Sequence, residues 1–131
     1  MDINELQQKC WKTAEDKGFH EDRPKRSQYG TRDEFKRALT NWQGNKLLLV
    51  VSEITEGHDE LRKGYDADAM YYSGEPVGDI PGKPEGLPSE LADAVIRILD
   101  FCGTEHINLQ AVIEEKLAFN ATRERLHGRK F

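Results

Sequence analysis

Two pairs of acidic residues lie inside segments that otherwise have the apolar pattern of helices. Glu53 and Glu56 form the first pair, and Glu90 and Asp93 form the second. A spacing of three residues places both carboxylates of a pair on one helix face, one turn apart. If the two helices face each other, the carboxylates meet and raise each other's pKa, which is unfavourable without bound cations. Oxygen ligands without Cys or His suit Mg²⁺ or Mn²⁺ rather than zinc.

The composition predicts a helical protein that completes its core by forming an oligomer. The chain has 131 residues, enough for a single domain, but only 37% are apolar and 33% are charged. We therefore expect a homodimer or a homotetramer. The net charge of -5 argues against a nucleic-acid-binding protein, which would normally carry a basic face.

The N-terminal segment and the cysteines indicate the cellular compartment of the protein. The first residues are amphipathic and charged, unlike a signal peptide. No apolar run approaches the roughly 20 residues that span a bilayer. Cys10 and Cys102 form no CxxC pair, and Cys102 is expected to be a small core residue. These features predict a reduced, cytoplasmic protein without a membrane partner.

Apolar periodicity and helix-ending residues predict four helices and an all-α fold. The predicted helices cover residues 3–17, 31–63, 87–101 and 108–126, with glycines at positions 18, 64, 103 and 128 as their stops. Thr31, with Glu34 three residues later, has the pattern of a capping box. Asn108 is a favourable N-cap for the last helix. Gly44 is a candidate break within the second helix.

The segment 73–88 separates the second and third helices and is rich in Pro and Gly. It holds four of the five prolines together with four glycines. This composition excludes a regular helix or a central strand. Two interpretations stay open: a plain surface linker, or a loop that covers a ligand.

Acidic and apolar residues lie on different sides of the second and third helices. At about 100° per residue, Glu53, Glu56 and Glu60 form one stripe. The corresponding stripe on the third helix consists of Glu90, Asp93, Arg97 and Asp100. Each helix is expected to bury its apolar side, formed by Val50, Ile54 and Leu61 on the second and by Leu91, Val95, Ile98, Leu99 and Cys102 on the third.

Glu60 and Asp100 are further candidates, either as extra ligands or as the base that orients a catalytic water. Together with Glu53 and Glu56 they form the predicted catalytic set. Acids at this spacing are also common on solvated helix faces, and Arg97 could neutralise a neighbouring acid in a surface ion pair. Two pairs within strongly apolar helices favour metal binding over a merely solvated face.

A second polar stripe is predicted on the fourth helix. Lys116, Asn120, Arg123 and His127 are spaced so that all four fall within about 60° of one another. Lys and Arg supply fixed positive donors and Asn supplies an amide, which suits the oxygens of a polyphosphate. The alternative is a basic C-terminal turn that complements the helix dipole.

The combination of ExxE, ExxD on the next helix and KxxxNxxR on the last resembles the MazG-like all-α nucleoside triphosphate pyrophosphohydrolases. The stretches ELADAVIRILDFCG and EEKLAFNATRERLHGRKF are especially similar to small, single-domain and phage-type members, and the resemblance covers residues 46–130. It implies a four-helix bundle assembled as a dimer or a dimer of dimers. It also implies Mg²⁺-dependent cleavage of an NTP, often a dNTP, into NMP and pyrophosphate. In this resemblance the metal ligands are Glu53, Glu56, Glu90 and Asp93, and the phosphate contacts are Lys116, Asn120 and Arg123.

Two other functions remain open at this point. One is a non-catalytic helical oligomer, an adaptor whose acids are only solvated. The other is a related phosphohydrolase acting on phosphoribosyl-ATP or on a substrate similar to dUTP. The sequence does not indicate which base or sugar a nucleotide substrate would carry.

Overall fold

The computed structural model describes residues 2–123 of the chain. These residues are mostly helical, as the sequence predicts, and they contain four α-helices. The helices are α1 (Ile3–Asp16), α2 (Arg32–Arg62), α3 (Leu87–Thr104) and α4 (Leu109–Ala121). A short 3-10 turn, Arg26–Gln28, precedes α2. Two short strands, β1 (Tyr71–Ser73) and β2 (Lys83–Glu85), lie between α2 and α3.

Side-chain caps fix where two of the helices begin. Thr31 Oγ1 accepts a hydrogen bond of 3.1 Å from the backbone N–H of Glu34, and Asn108 Oδ1 accepts one of 3.1 Å from that of Ala111. Both predicted caps are therefore confirmed. The predicted break at Gly44 is wrong, because α2 runs through it without interruption. One exposed glycine costs about 1 kcal/mol of helix stability. The favourable contributions of the other residues in this long helix outweigh that cost.

The C-terminal end of α3 also differs from the prediction. The helix passes through Gly103 and ends at Thr104, so Gly103 is not its stop. A Cβ atom at Gly103 would lie only 2.9 Å from Cβ of Trp11. The absent side chain therefore lets α1 pack closely against α3.

The helix α3 lies at the centre of the packing. It contacts α2 along one side and α1 along another, whereas the main contacts of α4 are with α1. The Oε1 atom of Gln110 in α4 accepts a hydrogen bond of 3.2 Å from the backbone N–H of Asn4 in α1. The buried apolar residues at these contacts are Cys10, Ala14, Trp42, Ala94, Leu99 and Cys102. The expected core position of Cys102 is thus confirmed.

Much of the apolar surface of α2 and α3 is exposed in the single chain. The exposed residues include Leu47, Leu48, Val51, Ile54 and Leu61 on α2 and Leu91, Val95, Ile96 and Ile98 on α3. By contrast, Glu53 and Glu60 are only 7% and 6% exposed. The expectation that α2 buries its apolar side within this chain is therefore wrong, because α2 turns its acidic stripe toward α3.

The Pro/Gly-rich segment forms a small hairpin. The strands β1 and β2 are antiparallel, with Tyr71 opposite Glu85 and Ser73 opposite Lys83. This agrees with the exclusion of a regular helix or a central strand, but the short strands themselves were not predicted. None of the helices within residues 2–123 combines the length and apolar character needed to cross a bilayer.

Candidate metal centre between α2 and α3

Three of the four predicted metal ligands meet where α2 packs against α3. Glu53, Glu56 and Glu90 each place a carboxylate oxygen within 4.8 Å of the other two. Glu53 is buried, Glu90 is partly buried and Glu56 is exposed, so the group opens toward solvent on one side. We refer to these three residues as the acidic triad.

Gly57 allows the two helices to approach closely at the acidic triad. It lies on α2, one residue after Glu56, and is buried. A Cβ atom at this position would lie 2.6 Å from Cδ1 of Leu87 and 3.4 Å from Cβ of Glu90. A larger residue would push Leu87 and α3 away, so the glycine helps to bring Glu90 to the acids of α2.

Glu90 carries the least favourable charge of the triad. Burial and the neighbouring carboxylates of Glu53 and Glu56 raise the pKa of Glu90 to about 7. Its Oε2 atom is buried and has no hydrogen-bond partner within the described residues. Because buried polar atoms are nearly always paired, this oxygen is a position where a bound ligand would supply the missing partner.

Glu53 has the opposite electrostatic environment. Its Oε1 atom accepts a hydrogen bond of 2.8 Å from Nε of Arg97 on α3. Burial alone would raise the pKa of Glu53, but the hydrogen bond from the Arg97 guanidinium and the neighbouring Glu90 carboxyl group hold it below its ordinary value. Glu53 and Glu90 therefore form a pair in which the first stays ionised while the second retains its proton more readily.

Asp93 lies near the triad but is not part of it. Its side chain is exposed. Burial and the charge of Glu53 raise the pKa of Asp93, while Arg97 and Lys83 oppose that increase. The structure thus places this fourth predicted ligand close enough to interact electrostatically with Glu53, at the open side of the site.

The donor set fits a hard divalent cation. All donors of the triad are carboxylate oxygens, and no Cys or His of residues 2–123 contributes to the group. Such oxygen sets suit Mg²⁺ and Mn²⁺. A divalent cation would neutralise the repulsion that raises the pKa of Glu90 and would give its buried oxygen a partner.

Glu60 lies one turn further along α2 and has a different partner. The Tyr71 hydroxyl of strand β1 lies 3.0 Å from both carboxylate oxygens of Glu60. Burial and the Glu60 carboxylate raise the pKa of Tyr71 to about 12, so the phenol donates at neutral pH. Tyr71 also stacks on Tyr65, with ring centroids 4.8 Å apart. Glu60 therefore anchors the hairpin, and its predicted catalytic role stays a prediction.

Removing the Tyr71 hydroxyl is expected to destabilise the protein. Among the residues that the structure describes, Tyr71→Phe would leave the buried Glu60 carboxylate with only Lys63, whose Nζ atom is 3.8 Å away. An unpaired buried acceptor costs about 1–3 kcal/mol of unfolding free energy. Urea denaturation would measure this loss. Tyr72→Phe is the matched control, since Tyr72 is exposed, and an equal effect of both changes would contradict the anchoring role of Tyr71.

Asp100 lies away from the triad, two turns beyond Asp93 on α3. Its Oδ1 atom is 2.7 Å from Nε2 of His20, and the other ring nitrogen of His20 contacts Glu15. Burial alone would lower the pKa of His20, but the hydrogen bonds with Glu15 and Asp100 raise it. The His20 ring also stacks on Trp11. Asp100 is thus held by α1 and the segment after it, and its predicted catalytic role stays a prediction.

The predicted phosphate residues lie on or just after α4, which packs mainly against α1 and not against the helix pair that carries the acidic triad. The helix α4 ends at Ala121, so Arg123 follows its C-cap instead of continuing the predicted stripe. Lys116 and Arg123 nevertheless share a neighbour, because their charged groups lie 5.9 and 5.7 Å from the Phe119 ring centroid. Asn120 is exposed near them. His127 lies outside the described residues.

Several contacts around the triad were missed by the sequence analysis. Arg97 was interpreted only as a partner of Asp93 or Asp100, yet it donates to Glu53 across the helix pair. The influence of Lys83 on Asp93 depends on the hairpin, which has no periodic signal. A small residue on the acidic side of α2, Gly57, was the one available sign of a close helix contact. Comparison with known proteins adds nothing to these observations, because no protein-family model, curated protein or solved structure matches this chain.

Proposed function

We propose that this protein is a Mg²⁺-dependent nucleoside triphosphate pyrophosphohydrolase of the MazG-like type, converting an NTP or dNTP and water into the monophosphate and pyrophosphate. The observation that carries the proposal is the acidic triad, with its partly buried Glu90 and the unpaired Oε2 atom. The three residues come from the ExxE and ExxD motifs on which the resemblance rests. A site for a hard cation is what a triphosphate-cleaving enzyme of this kind requires.

Residues of this chain can be assigned as ligands of such a cation and as the groups that orient those ligands. Glu53, Glu56 and Glu90 would hold Mg²⁺, or Mn²⁺ in its place, with Asp93 at the open side as the fourth candidate ligand. When bound, the metal supplies charge neutralisation of the phosphates and acidifies water. Arg97 fixes the orientation of Glu53 through its 2.8 Å hydrogen bond. Its guanidinium group is also permanently charged, so it would attract the anionic substrate toward the triad.

The basic residues near α4 are proposed to serve the site of another copy of the chain. Lys116 and Arg123 cluster around Phe119, on a helix whose main contacts are with α1. The apolar residues exposed on α2 and α3 favour an oligomer, which would bury them. A homodimer or homotetramer would then complete a helical bundle and could bring a second copy's Lys116, Asn120 and Arg123 to the triphosphate.

A product assay tests the proposed reaction directly. The protein would be incubated with each of the eight canonical NTPs and dNTPs in the presence and absence of Mg²⁺, and pyrophosphate and monophosphate would be quantified. We expect the two products in equal amounts, and only with the metal. Release of inorganic phosphate and a diphosphate instead would contradict cleavage between the α and β phosphates.

Magnesium titration separates this function from that of a non-catalytic adaptor. If the protein is an enzyme with this metal site, calorimetry should show saturable Mg²⁺ binding. That binding should strengthen when a nucleoside triphosphate is present. An adaptor whose acids are only solvated should show no saturable binding. Absence of both binding and pyrophosphate release would reject the proposed function.

Disrupting the exposed apolar side of α2 is expected to dissociate the oligomer. Leu48 and Val51 are 63% and 57% exposed in the single chain. Leu48→Glu together with Val51→Glu would place two carboxylates in the proposed interface. Removing these charges from water on association is strongly unfavourable. Light scattering should then report a monomer, whereas the wild-type chain gives a dimer or tetramer. Lys36→Glu, an exposed change near the start of α2, is the control, and a monomeric wild-type chain would contradict the proposal.

A further inference from the structure

His20 joins α1 to α3 through both nitrogens of its ring. Its Nδ1 atom lies 2.5 Å from Oε2 of Glu15 at the end of α1, and its Nε2 atom lies 2.7 Å from Oδ1 of Asp100 on α3. The ring also stacks on Trp11 of α1, with centroids 5.6 Å apart. The His20 side chain is only 10% exposed, so its polar partners come from the protein rather than from water. We refer to Glu15, His20 and Asp100 as the imidazole bridge.

The imidazole bridge is complete only when its ring is protonated. An ionised carboxylate only accepts hydrogen bonds, and a neutral imidazole has a single N–H to donate. Because each ring nitrogen of His20 lies against a carboxylate oxygen, two hydrogen bonds require two N–H groups. Removal of one proton would turn a nitrogen lone pair toward one of the two carboxylates and convert that attraction into repulsion.

Glu15 is the partner that a neutral ring would lose. Its side chain is 48% exposed, whereas that of Asp100 is 20% exposed. An unpaired acceptor costs more when it is buried, so the remaining N–H stays with Asp100. The Glu15 carboxylate can turn to water, and the contact between the end of α1 and the ring is then lost.

The charged groups on the other sides of His20 do not replace the two acids. The residues that line a hollow of about 340 Å³ beside the ring include Arg23, Lys25 and His106. Nη2 of Arg23 donates to both carboxylate oxygens of Glu105, at 3.0 and 2.9 Å, which offsets the charge of this arginine. The acids of the bridge are therefore the groups that hold its proton.

The charged groups around Asp100 are engaged elsewhere. Lys46 and Arg97 line the cavity of about 260 Å³ that Asp100 also lines. Nζ of Lys46 donates to the backbone carbonyl of Phe19 at 3.2 Å, and Nε of Arg97 donates to Glu53 at 2.8 Å. Among the residues that the structure describes, the ring of the imidazole bridge is therefore the charged partner that this aspartate contacts directly.

The acids of the bridge favour the protonated ring over the neutral one. Burial alone would lower the pKa of His20, but the hydrogen bonds with Glu15 and Asp100 raise it above the ordinary value of 6.5. The thiol of Cys10, on α1, interacts electrostatically with the same aspartate. Burial and the charge of Asp100 raise the pKa of Cys10, so the thiol stays neutral and does not compete with the ring.

We propose that the imidazole bridge is a pH-sensitive switch, in which loss of the His20 proton releases Glu15 and loosens the packing of α1 against α3. The bridge shares no residue with the acidic triad, so this switch does not depend on the proposed enzymatic activity. The bridge stabilises the folded chain fully between about pH 5 and pH 6.5, where the ring is protonated in the folded and the unfolded chain. This contribution is lost as pH rises through the pKa of His20 in the folded chain.

NMR titration of the His20 ring measures the proton directly in the full chain. We expect a wild-type pKa above 6.5 and a clear decrease in Glu15→Gln, because the amide removes one negative charge and donates to a neutral ring nitrogen. Asp16→Asn is the matched control, since Asp16 follows Glu15 on α1 but pairs with Lys12. His20→Gln identifies the signal by its absence. A wild-type pKa at or below 6.5, or equal shifts in Glu15→Gln and Asp16→Asn, would overturn the proposed switch.

Urea denaturation tests whether the proton stabilises the fold. The folding equilibrium constant of the wild-type chain relative to His20→Gln should fall by up to about tenfold per pH unit above pH 6.5. It should then level off beyond the pKa of His20 in the folded chain. If His20→Gln does not fold, Glu15→Gln takes its place, because this side chain is half-exposed. A relative constant that stays level or rises with pH would contradict the switch.

Thiol labelling of Cys10 reports whether α1 loosens. The Cys10 residue is only 8% exposed, so a reagent reaches its thiol when α1 separates from α3. Comparison of the wild-type chain with Glu15→Gln at the same pH cancels the effect of pH on the thiol itself, and mass spectrometry of peptides separates Cys10 from Cys102. The variant should be labelled severalfold faster near pH 6.5, and this excess should vanish or reverse above the wild-type pKa of His20. Equal labelling rates at every pH would show that the bridge does not hold α1 on α3.

Discussion

Glu90→Gln is expected to abolish Mg²⁺ binding and pyrophosphate release, and at the same time to stabilise the metal-free protein. The substitution keeps the shape of the side chain but removes a charge that lies between two other carboxylates. Burial and those carboxylates raise the pKa of Glu90 from 4.5 to about 7. Holding the group ionised above pH 7 therefore costs roughly 1–3 kcal/mol, after allowance for its partial exposure to solvent.

The stability that Glu90→Gln gains depends on pH, because the carboxyl group that it removes titrates. The folded wild-type chain binds a proton at Glu90 more tightly than the unfolded chain, so its stability falls as pH rises from about 4.5 to about 7. The variant lacks this titration. Its advantage in urea denaturation without metal should be full above pH 7 and should vanish below about pH 4.5. Saturating Mg²⁺ should remove much of the difference by stabilising only the wild-type protein.

Asp59→Asn serves as the control for Glu90→Gln. Asp59 lies on α2 and pairs with Arg62 at the surface, so its neutralisation should leave Mg²⁺ binding unchanged. Near-normal turnover of Glu90→Gln, or a loss of stability at pH 8 without metal, would contradict the assignment of Glu90 to a repulsive metal site.

The helices could be predicted because their signals are local. Thr31 and Asn108 cap α2 and α4 through hydrogen bonds to residues three positions away. The wrong predictions at Gly44 and Gly103 have a common physical cause. A glycine weakens a helix by about 1 kcal/mol, but contacts with other elements decide whether the helix continues. At Gly103 that contact is the close approach of Trp11, which no local pattern contains.

The candidate site could be predicted only in part for a related reason. The spacing of Glu53, Glu56 and Glu90 showed that the acids share helix faces, and the structure brings these three together. The apolar residues beside them suggested that the other side of α2 would be buried in the chain. A single chain offers too little apolar surface to cover both sides, so that side is exposed and Arg97 joins the acids instead. Which face a helix buries depends on contacts between elements, and the local spacing of apolar and acidic residues does not contain that information.

Arg123→Ala is expected to lower kcat/KM for the triphosphate by the equivalent of about 2–4 kcal/mol. A preorganised cationic donor near the leaving pyrophosphate contributes energy of this size, because negative charge grows there in the transition state. Both kcat and substrate affinity should fall. Steady-state kinetics at saturating Mg²⁺ would measure the change. Arg125→Ala is the control for general basicity, and equal losses from the two substitutions would contradict a specific phosphate contact.

Mixing two inactive variants would show whether Arg123 acts on its own chain or on another copy. The basic cluster belongs to a helix that packs mainly on α1, whereas the acidic triad lies between α2 and α3. If Arg123 serves a partner, a mixed dimer of Glu90→Gln and Arg123→Ala chains contains one site with an intact triad and an intact arginine. Random reassociation after unfolding would then restore about a quarter of wild-type activity, since about half of the dimers are mixed and each has one working site. If both groups serve the site of their own chain, every site in the mixture lacks one of them and no activity returns.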